Sequence, residues 1–286
     1  MGGGRWRLVG ALALALVALG ACTSTTGGTA QPLPHPASVA DDSAPKRTVL
    51  PQAGQCVRDT GIAPLPCTEP HTIEITAVGT LAAGPGAAYP EPAAVLRAEL
   101  PGCYAVLPGY LGSAEFPATS LDAWLGWPTR EQWDQGQRWR LCGVSDLGLD
   151  GKAAPRTGSL RGALSGDGMF RFQLCSSAKA SGPALRRVPC DTPHVAESVP
   201  GVLSLGAPGG APPSADAVNQ LGQPHCKPRV DGYLGIPDGR VEVFYAWRWP
   251  GAEQYANGNT YLVCFAETQV PVNRPLRGIG TGPLPK

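Results

Sequence analysis

From Thr72 to Leu81 the chain alternates: Ile73, Ile75, Ala77 and Gly79 fall on one side, Thr72, Glu74, Thr76 and Val78 on the other. A period of two predicts a half-buried β-strand. Val195 to Leu205 repeats the pattern more weakly. A helix-favouring run follows from Glu91-Pro92-Ala93 to Leu100, with Pro92 tolerated in the first turn. Pro101 is expected to stop that helix, and Cys103 to Leu107 to begin another short one. In the second half Ser214 is placed to cap the matching helix through its hydroxyl. Arg138 to Val144 and Tyr261 to Phe265 read as closing strands. Leu147 to Gly168, rich in Gly and Ser, reads as a linker, and the tail after Thr268 as disordered.

The cysteines turn these elements into a duplication. Cys56, Cys67, Cys103 and Cys142 are spaced by 11, 36 and 39 residues; Cys175, Cys190, Cys226 and Cys264 by 15, 36 and 38. At a constant offset of 123, Cys67 with Pro70, His71 and Glu74 matches Cys190 with Pro193, His194 and Glu197, and Gly109-Tyr110-Leu111-Gly112 matches Gly232-Tyr233-Leu234-Gly235. After the loss of one residue, Trp127-Pro128 meets Trp249-Pro250, Gly136 meets Gly258, and Trp133 and Trp139 become Tyr255 and Tyr261. Agreement over so many unlike residue types marks a tandem repeat. Four cysteines permit three pairings. The favoured one is Cys56–Cys67 with Cys103–Cys142, and Cys175–Cys190 with Cys226–Cys264, because the variable first interval suits a loop closed on itself.

Arg5 and Arg7 precede an apolar run from Leu8 to Leu19, which reads as a secretory signal too short to span a bilayer comfortably. Leu19-Gly20-Ala21-Cys22 resembles the bacterial lipobox, in which the cysteine becomes lipid-modified and begins the mature chain. The resemblance implies a palmitate-type lipid anchor on Cys22 at the cell membrane and an extracytoplasmic location, where disulfides persist. The expected organisation is a signal over 1–21, a flexible tether over 22–50, repeat one over 51–146, a linker over 147–168, repeat two over 169–268 and a tail over 269–286. With 38 glycines and 31 prolines in 286 residues, the composition favours two small, loop-rich α+β modules, each an antiparallel sheet with one or two short helices. Approximate two-fold packing of the two copies, with a groove between them, is the expected assembly. The net charge of +1 and the lack of a basic cluster argue against nucleic acid as a partner.

Two features bear on chemistry. His71 with Glu74 and His194 with Glu197 are candidate binding residues, but in a strand an odd spacing puts the two on opposite faces. The favoured reading is that each imidazole hydrogen-bonds a turn carbonyl beside its disulfide; a metal-dependent hydrolase joining His71 and His194 across the repeats is the rival. Trp124, Trp127, Trp133 and Trp139 read mainly as core, while Trp133 and Tyr255, set in Glu-Gln-(Trp/Tyr)-x-x-Gly, are candidate exposed rings for a glycan or peptide. There is no Gly-x-Ser-x-Gly elbow, no His-Glu-x-x-His and no phosphate-cradling loop. No catalytic residue, cofactor or resident metal is expected.

Gly-Gln-Cys-Val at 54–57, Cys67, Pro70-His71-x-x-Glu74, Cys103 and Trp133-x-x-Gly136 leading to Cys142 resemble the septum-formation domain of actinobacterial exported proteins. The second half matches through Cys175, Cys190, Pro193-His194-x-x-Glu197, Cys226, Tyr255-x-x-Gly258 and Cys264, without the glycine that precedes Cys56 by two positions. The resemblance implies a membrane-associated envelope protein connected with septum formation, bound to another envelope protein or a cell-wall component, and no known reaction.

Overall fold

The computed structural model describes residues 49–286 apart from Thr60 and Pro85. The expected signal, Cys22 and nearly all of the tether therefore lie outside the described residues. Among those described, no helix is long and apolar enough to cross a membrane.

The first half runs β1 (Cys56–Arg58), β2 (Gly61–Leu65), β3 (Ile73–Thr80), α1 (Pro92–Leu111), β4 (Leu121–Gly126), α2 (Arg130–Asp134) and β5 (Trp139–Asp146). The second runs β6 (Cys175–Ser176), β7 (Arg187–Val188), β8 (His194–Ser198), β9 (Leu203–Ser204), α3 (Ala215–Leu234), β10 (Val243–Arg248), α4 (Ala252–Ala256) and β11 (Tyr261–Val272). The first sheet is ordered β2-β1-β3-β5-β4 and the second β7-β6-β8-β11-β10, with β9 added beside β11. All pairs are antiparallel. The two halves thus share one topology, and the fold is α+β.

All four disulfides join cysteines within a half: Cys56–Cys67, Cys103–Cys142, Cys175–Cys190 and Cys226–Cys264. In each half one bridge closes the entry hairpin, and the other ties the long helix to the last strand.

Pro101 does not stop the helix. α1 continues through Pro101 and Pro108, and α3 through Pro224 and Pro228. An interior proline costs about 3 kcal/mol in an isolated helix. Here one buried face runs the whole length of α1, through Val95, Cys103, Tyr104, Leu107, Tyr110 and Leu111, and the Cys103 bridge pins its middle to the sheet. Tertiary burial outweighs the missing hydrogen bonds. Each helix ends on the glycine of the duplicated Gly-Tyr-Leu-Gly element, Gly112 at φ 81° and Gly235 at φ 78°, a left-handed cap that costs glycine little.

β3 is more enclosed than its alternation suggests, since Ile73, Glu74, Ile75 and Thr76 are all buried. α1 covers one face of the sheet, with Val95 and Cys103 against Leu125 and Cys142. On the opposite face Val57, Ile73, Ile75, Trp139 and Leu141 are closed over by Leu50, Ile62 and Trp124.

The expected two-fold arrangement with a groove is replaced by head-to-tail stacking. On β11, Leu262, Cys264 and Ala266 face α3, packing with Val218, Cys226 and Val230. The alternate residues Val263 and Phe265 pack instead with Tyr104 and Leu107 of α1. The layers are therefore first sheet, α1, second sheet, α3, with one apolar core filling the junction. Polar contacts lock it: Ser198 Oγ donates to Ala118 O at 2.6 Å, and Gly201 N to Glu115 Oε2 at 2.7 Å.

Gly258, at φ 107°, lies against α1, where an added Cβ would come 2.7 Å from Pro101 Cα; its counterpart Gly136, at φ 86°, faces open space. Alanine at either strains the backbone, but only at Gly258 must the junction also give way. Gly258→Ala is expected to cost about 1–3 kcal/mol more than Gly136→Ala, from the steric overlap alone, and paired urea titrations would measure the difference. Equal losses would contradict this packing.

The segments read as linker and tail are both ordered. Residues 147–168 fold back onto the first half: His71 bridges to Arg156, and Leu160 and Leu164 enter the core. The tail folds back likewise: Leu276 enters the second core, with Ile279 and Leu284 packed against it. These short apolar residues are isolated in sequence, and each finds a cavity left between helix and sheet.

Candidate functional site

Glu74 and Glu197 are wholly buried strand residues that face the end of the long helix in their own half. In the second half Glu197 Oε2 accepts from the Tyr233 hydroxyl at 2.6 Å, Oε1 lies 2.7 Å from His194 Nε2, and the Leu276 amide donates to both oxygens, at 3.1 and 3.0 Å. In the first half Glu74 Oε1 accepts from the Tyr110 and Ser159 hydroxyls, each at 2.5 Å, and Oε2 from the Leu160 amide. Each carboxylate thus clasps the helix end and the returning segment to the sheet.

The clasp is itself duplicated. Gly162 N donates to Tyr110 O and Leu164 N to Leu111 O; Gly278 N donates to Tyr233 O and Gly280 N to Leu234 O. Arg161 stacks on Tyr110 at 4.4 Å, and Arg277 on Phe170 at 3.8 Å. The sequence carries this match as Leu160-Arg161-Gly162 and Leu276-Arg277-Gly278, a signal the cysteine-based comparison passes over because it lies beyond the last cysteine of each half. Tyr110, Tyr233, Ser159, Leu160 and Leu276 are the site residues that sequence reasoning missed. Burial, together with the neighbouring carboxylate, raises the phenols of Tyr110 and Tyr233 well above the ordinary tyrosine value, so both stay protonated as donors.

The imidazoles lie where the turn reading put them. His71 Nδ1 is 2.8 Å from Glu69 O, and His194 Nδ1 is 2.6 Å from Thr192 O. At Nε2 the two differ. His194 meets Glu197, whereas the buried Nε2 of His71 has no hydrogen-bond partner among the described residues. Both neighbours of His194 are acceptors, so a ring protonated on both nitrogens satisfies them. Burial pulls its pKa down, but the Glu197 hydrogen bond, the Thr192 carbonyl and the carboxylate charge outweigh this and leave it raised.

A histidine raised by folding contributes stability that is complete below its unfolded value, about 6.5, and is lost as pH climbs through the folded value. The stability advantage of the native protein over His194→Gln should therefore shrink between about pH 6 and pH 9, read from urea midpoints. A pH-independent difference would show that the ring is neutral throughout.

His71 and His194 each bond within their own half. Among the described residues the one group with metal-ligand spacing is Cys56, Cys67, His71 and Glu74, which does not include His194. The expected exposed rings are corrected outright: Trp133 and Tyr255 are each only 3% exposed. Trp133 Nε1 donates to Ala87 O at 2.7 Å under the Arg138 guanidinium, and Tyr255 donates to Leu205 O at 3.3 Å. α2 and α4 are single helical turns, so their polar neighbours face solvent while the ring turns inward. The exposed aromatics lie elsewhere: Phe244 and Trp249 on and beside edge strand β10. With Trp247, Asn219 and Gln269 they border a depression of about 400 Å³. At the corresponding positions the first half has Asp122, Leu125 and Trp127, so the repeats diverge here.

A duplicated α+β framework with two hairpin disulfides and a paired Pro-His-x-x-Glu clasp defines a disulfide-stapled module. The chain belongs to the septum-formation family, which matches residues 48–264 in one stretch across both halves. No match was found among curated proteins or among solved structures.

Proposed function

We propose that this is a non-enzymatic envelope protein, held to the membrane by lipid on Cys22, that serves septum formation by binding another envelope component. Two copies of one module, joined by duplication, form its folded part. The observation that carries this reading is how the polar groups are spent. The duplicated carboxylates are buried and bonded within the fold, whereas Phe244 and Trp249 stay exposed beside an open depression. Aromatic rings that remain in water on a stapled scaffold suit recognition. Membership in the family and four disulfides, which persist outside the cytoplasm, support the setting. The partner is an envelope protein or a cell-wall polymer.

Replacing the chromosomal copy by Phe244→Ala/Trp249→Ala is expected to reproduce the septation defect of a deletion strain while the protein still folds and accumulates. Cys22→Ala is expected to shift it from the membrane fraction to the soluble one. A deletion strain that divides normally, or surface variants that complement it fully, would refute the binding reading.

A further inference from the structure

Cys56, Cys67, His71 and Glu74 place two sulfurs, one imidazole nitrogen and one carboxylate oxygen within 4.8 Å of one another. In the oxidised chain the sulfurs are bonded to each other and offer no thiolate. Three features separate this cluster from its counterpart in the second half. With Nδ1 donating to Glu69 O, the bare Nε2 of His71 carries the lone pair of a neutral ring, in a residue only 1% exposed. His194 spends the same atom on Glu197. Glu74 accepts three hydrogen bonds, from Tyr110, Ser159 and Leu160, and a carboxylate offers about four lone-pair positions, so one remains.

The geometry points to a redox-gated zinc site: reducing the Cys56–Cys67 bridge creates a Cys₂HisGlu donor set that binds one Zn²⁺. The inference does not depend on the binding role proposed above. Cys67 is partly exposed and Cys56 is fully buried, so a dithiol reductant attacks at Cys67 Sγ. A mixed disulfide forms as the Cys56 sulfur leaves; the second thiol of the reductant then releases Cys67. Two electrons pass from the dithiol, which ends as a disulfide, and the chain gains two thiols. Zinc binding displaces their two protons. At ordinary Zn–S and Zn–N lengths a tetrahedral ion holds its donors about 3–4 Å apart, so the four need move only by small side-chain adjustments. The Cys103–Cys142 and Cys226–Cys264 bridges, buried at both ends, are shielded from the same reductant. Cys175–Cys190, with Cys190 half-exposed, is reduced alongside but lacks a free imidazole, and so acts as an internal control.

The test uses the full chain treated with a mild phosphine or dithiol, loaded with Zn²⁺, desalted, and measured for metal per chain. One zinc is expected in the wild type, in His194→Ala and in Cys175→Ser/Cys190→Ser, and none in His71→Ala, in Cys56→Ser/Cys67→Ser or in the unreduced protein. Because a clasp variant could unfold, Co²⁺ loading of the reduced wild type is the second measurement. Intense visible bands of a tetrahedral ion with thiolate-to-cobalt charge transfer are expected. No bound metal, equal metal in the His71 and His194 variants, or an octahedral cobalt spectrum would overturn the proposal.

Discussion

Deleting residues 269–286 is expected to unfold the second half, although these residues lie beyond the last cysteine and carry no regular structure after β11. The deletion removes the Leu276 amide from both oxygens of Glu197 and the wholly buried Leu276 side chain from the core. Leaving a buried carboxylate short of donors costs about 1–3 kcal/mol, and losing a buried leucine about 2–5 kcal/mol. The sum approaches the whole stability of a small domain. Thermal melts and limited proteolysis should show the second half cleaved at a temperature where the first survives. Restoring residues 269–280 alone should recover most of the loss, since they carry Leu276, Arg277 and the two glycine amides that bond the end of α3. A truncated chain within about 1 kcal/mol of the native one would mean the clasp is decorative.

Removing the helix-to-strand bridge with Cys103→Ser/Cys142→Ser carries the next largest expected cost. That bridge closes a loop of 39 residues. On the chain-entropy account its loss costs about 4 kcal/mol, against about 3 kcal/mol for the 11-residue hairpin bridge Cys56–Cys67. Burial widens the gap, because both Cys103 and Cys142 sit in the core while Cys67 is partly exposed. The α1 prolines sharpen the outcome further. Without the tether at Cys103, the helix loses the anchor that lets it continue past Pro101. Circular dichroism should therefore report lost helix along with a lower urea midpoint. Equal midpoints for the two double variants would show that position in the fold outweighs neither loop length nor burial.

Much of the framework was legible because its signals are local. Alternation at Ile73 and Ile75, cysteine spacing, and the Gly-Tyr-Leu-Gly helix ends each state a backbone preference that the fold then uses. The failures share another cause. Pro101 reads as a stop only if the helix is considered alone, and the Glu-Gln-Trp setting of Trp133 reads as exposed only if one helical turn is mistaken for a surface loop. Leu160 and Leu276 are single apolar residues in glycine-rich stretches, so no periodicity reveals them. Their meaning comes from Glu74 and Glu197, some 80 residues away in each case, whose burial makes an amide donor necessary. Of the candidate site, the histidines and glutamates were visible as a repeated pattern. That one half leaves Nε2 bare while the other does not was not visible, because the difference lies in where a carboxylate turns.

The order of layers gives the protein a near end and a far end. Leu50, where the chain leaves its N-terminal segment, lies on the outer face of the first sheet. Asn219 and Trp247, which border the aromatic depression, belong to α3 and to the strand beneath it, at the opposite extreme of the stack. A protein hung from a bilayer by residues preceding Leu50 would present that depression outward, at full reach, with the thickness of one complete module serving as a spacer. The duplication then has a mechanical sense: the copy nearest the membrane is a pedestal, free to keep its surface plain, and the outer copy is the one at liberty to change.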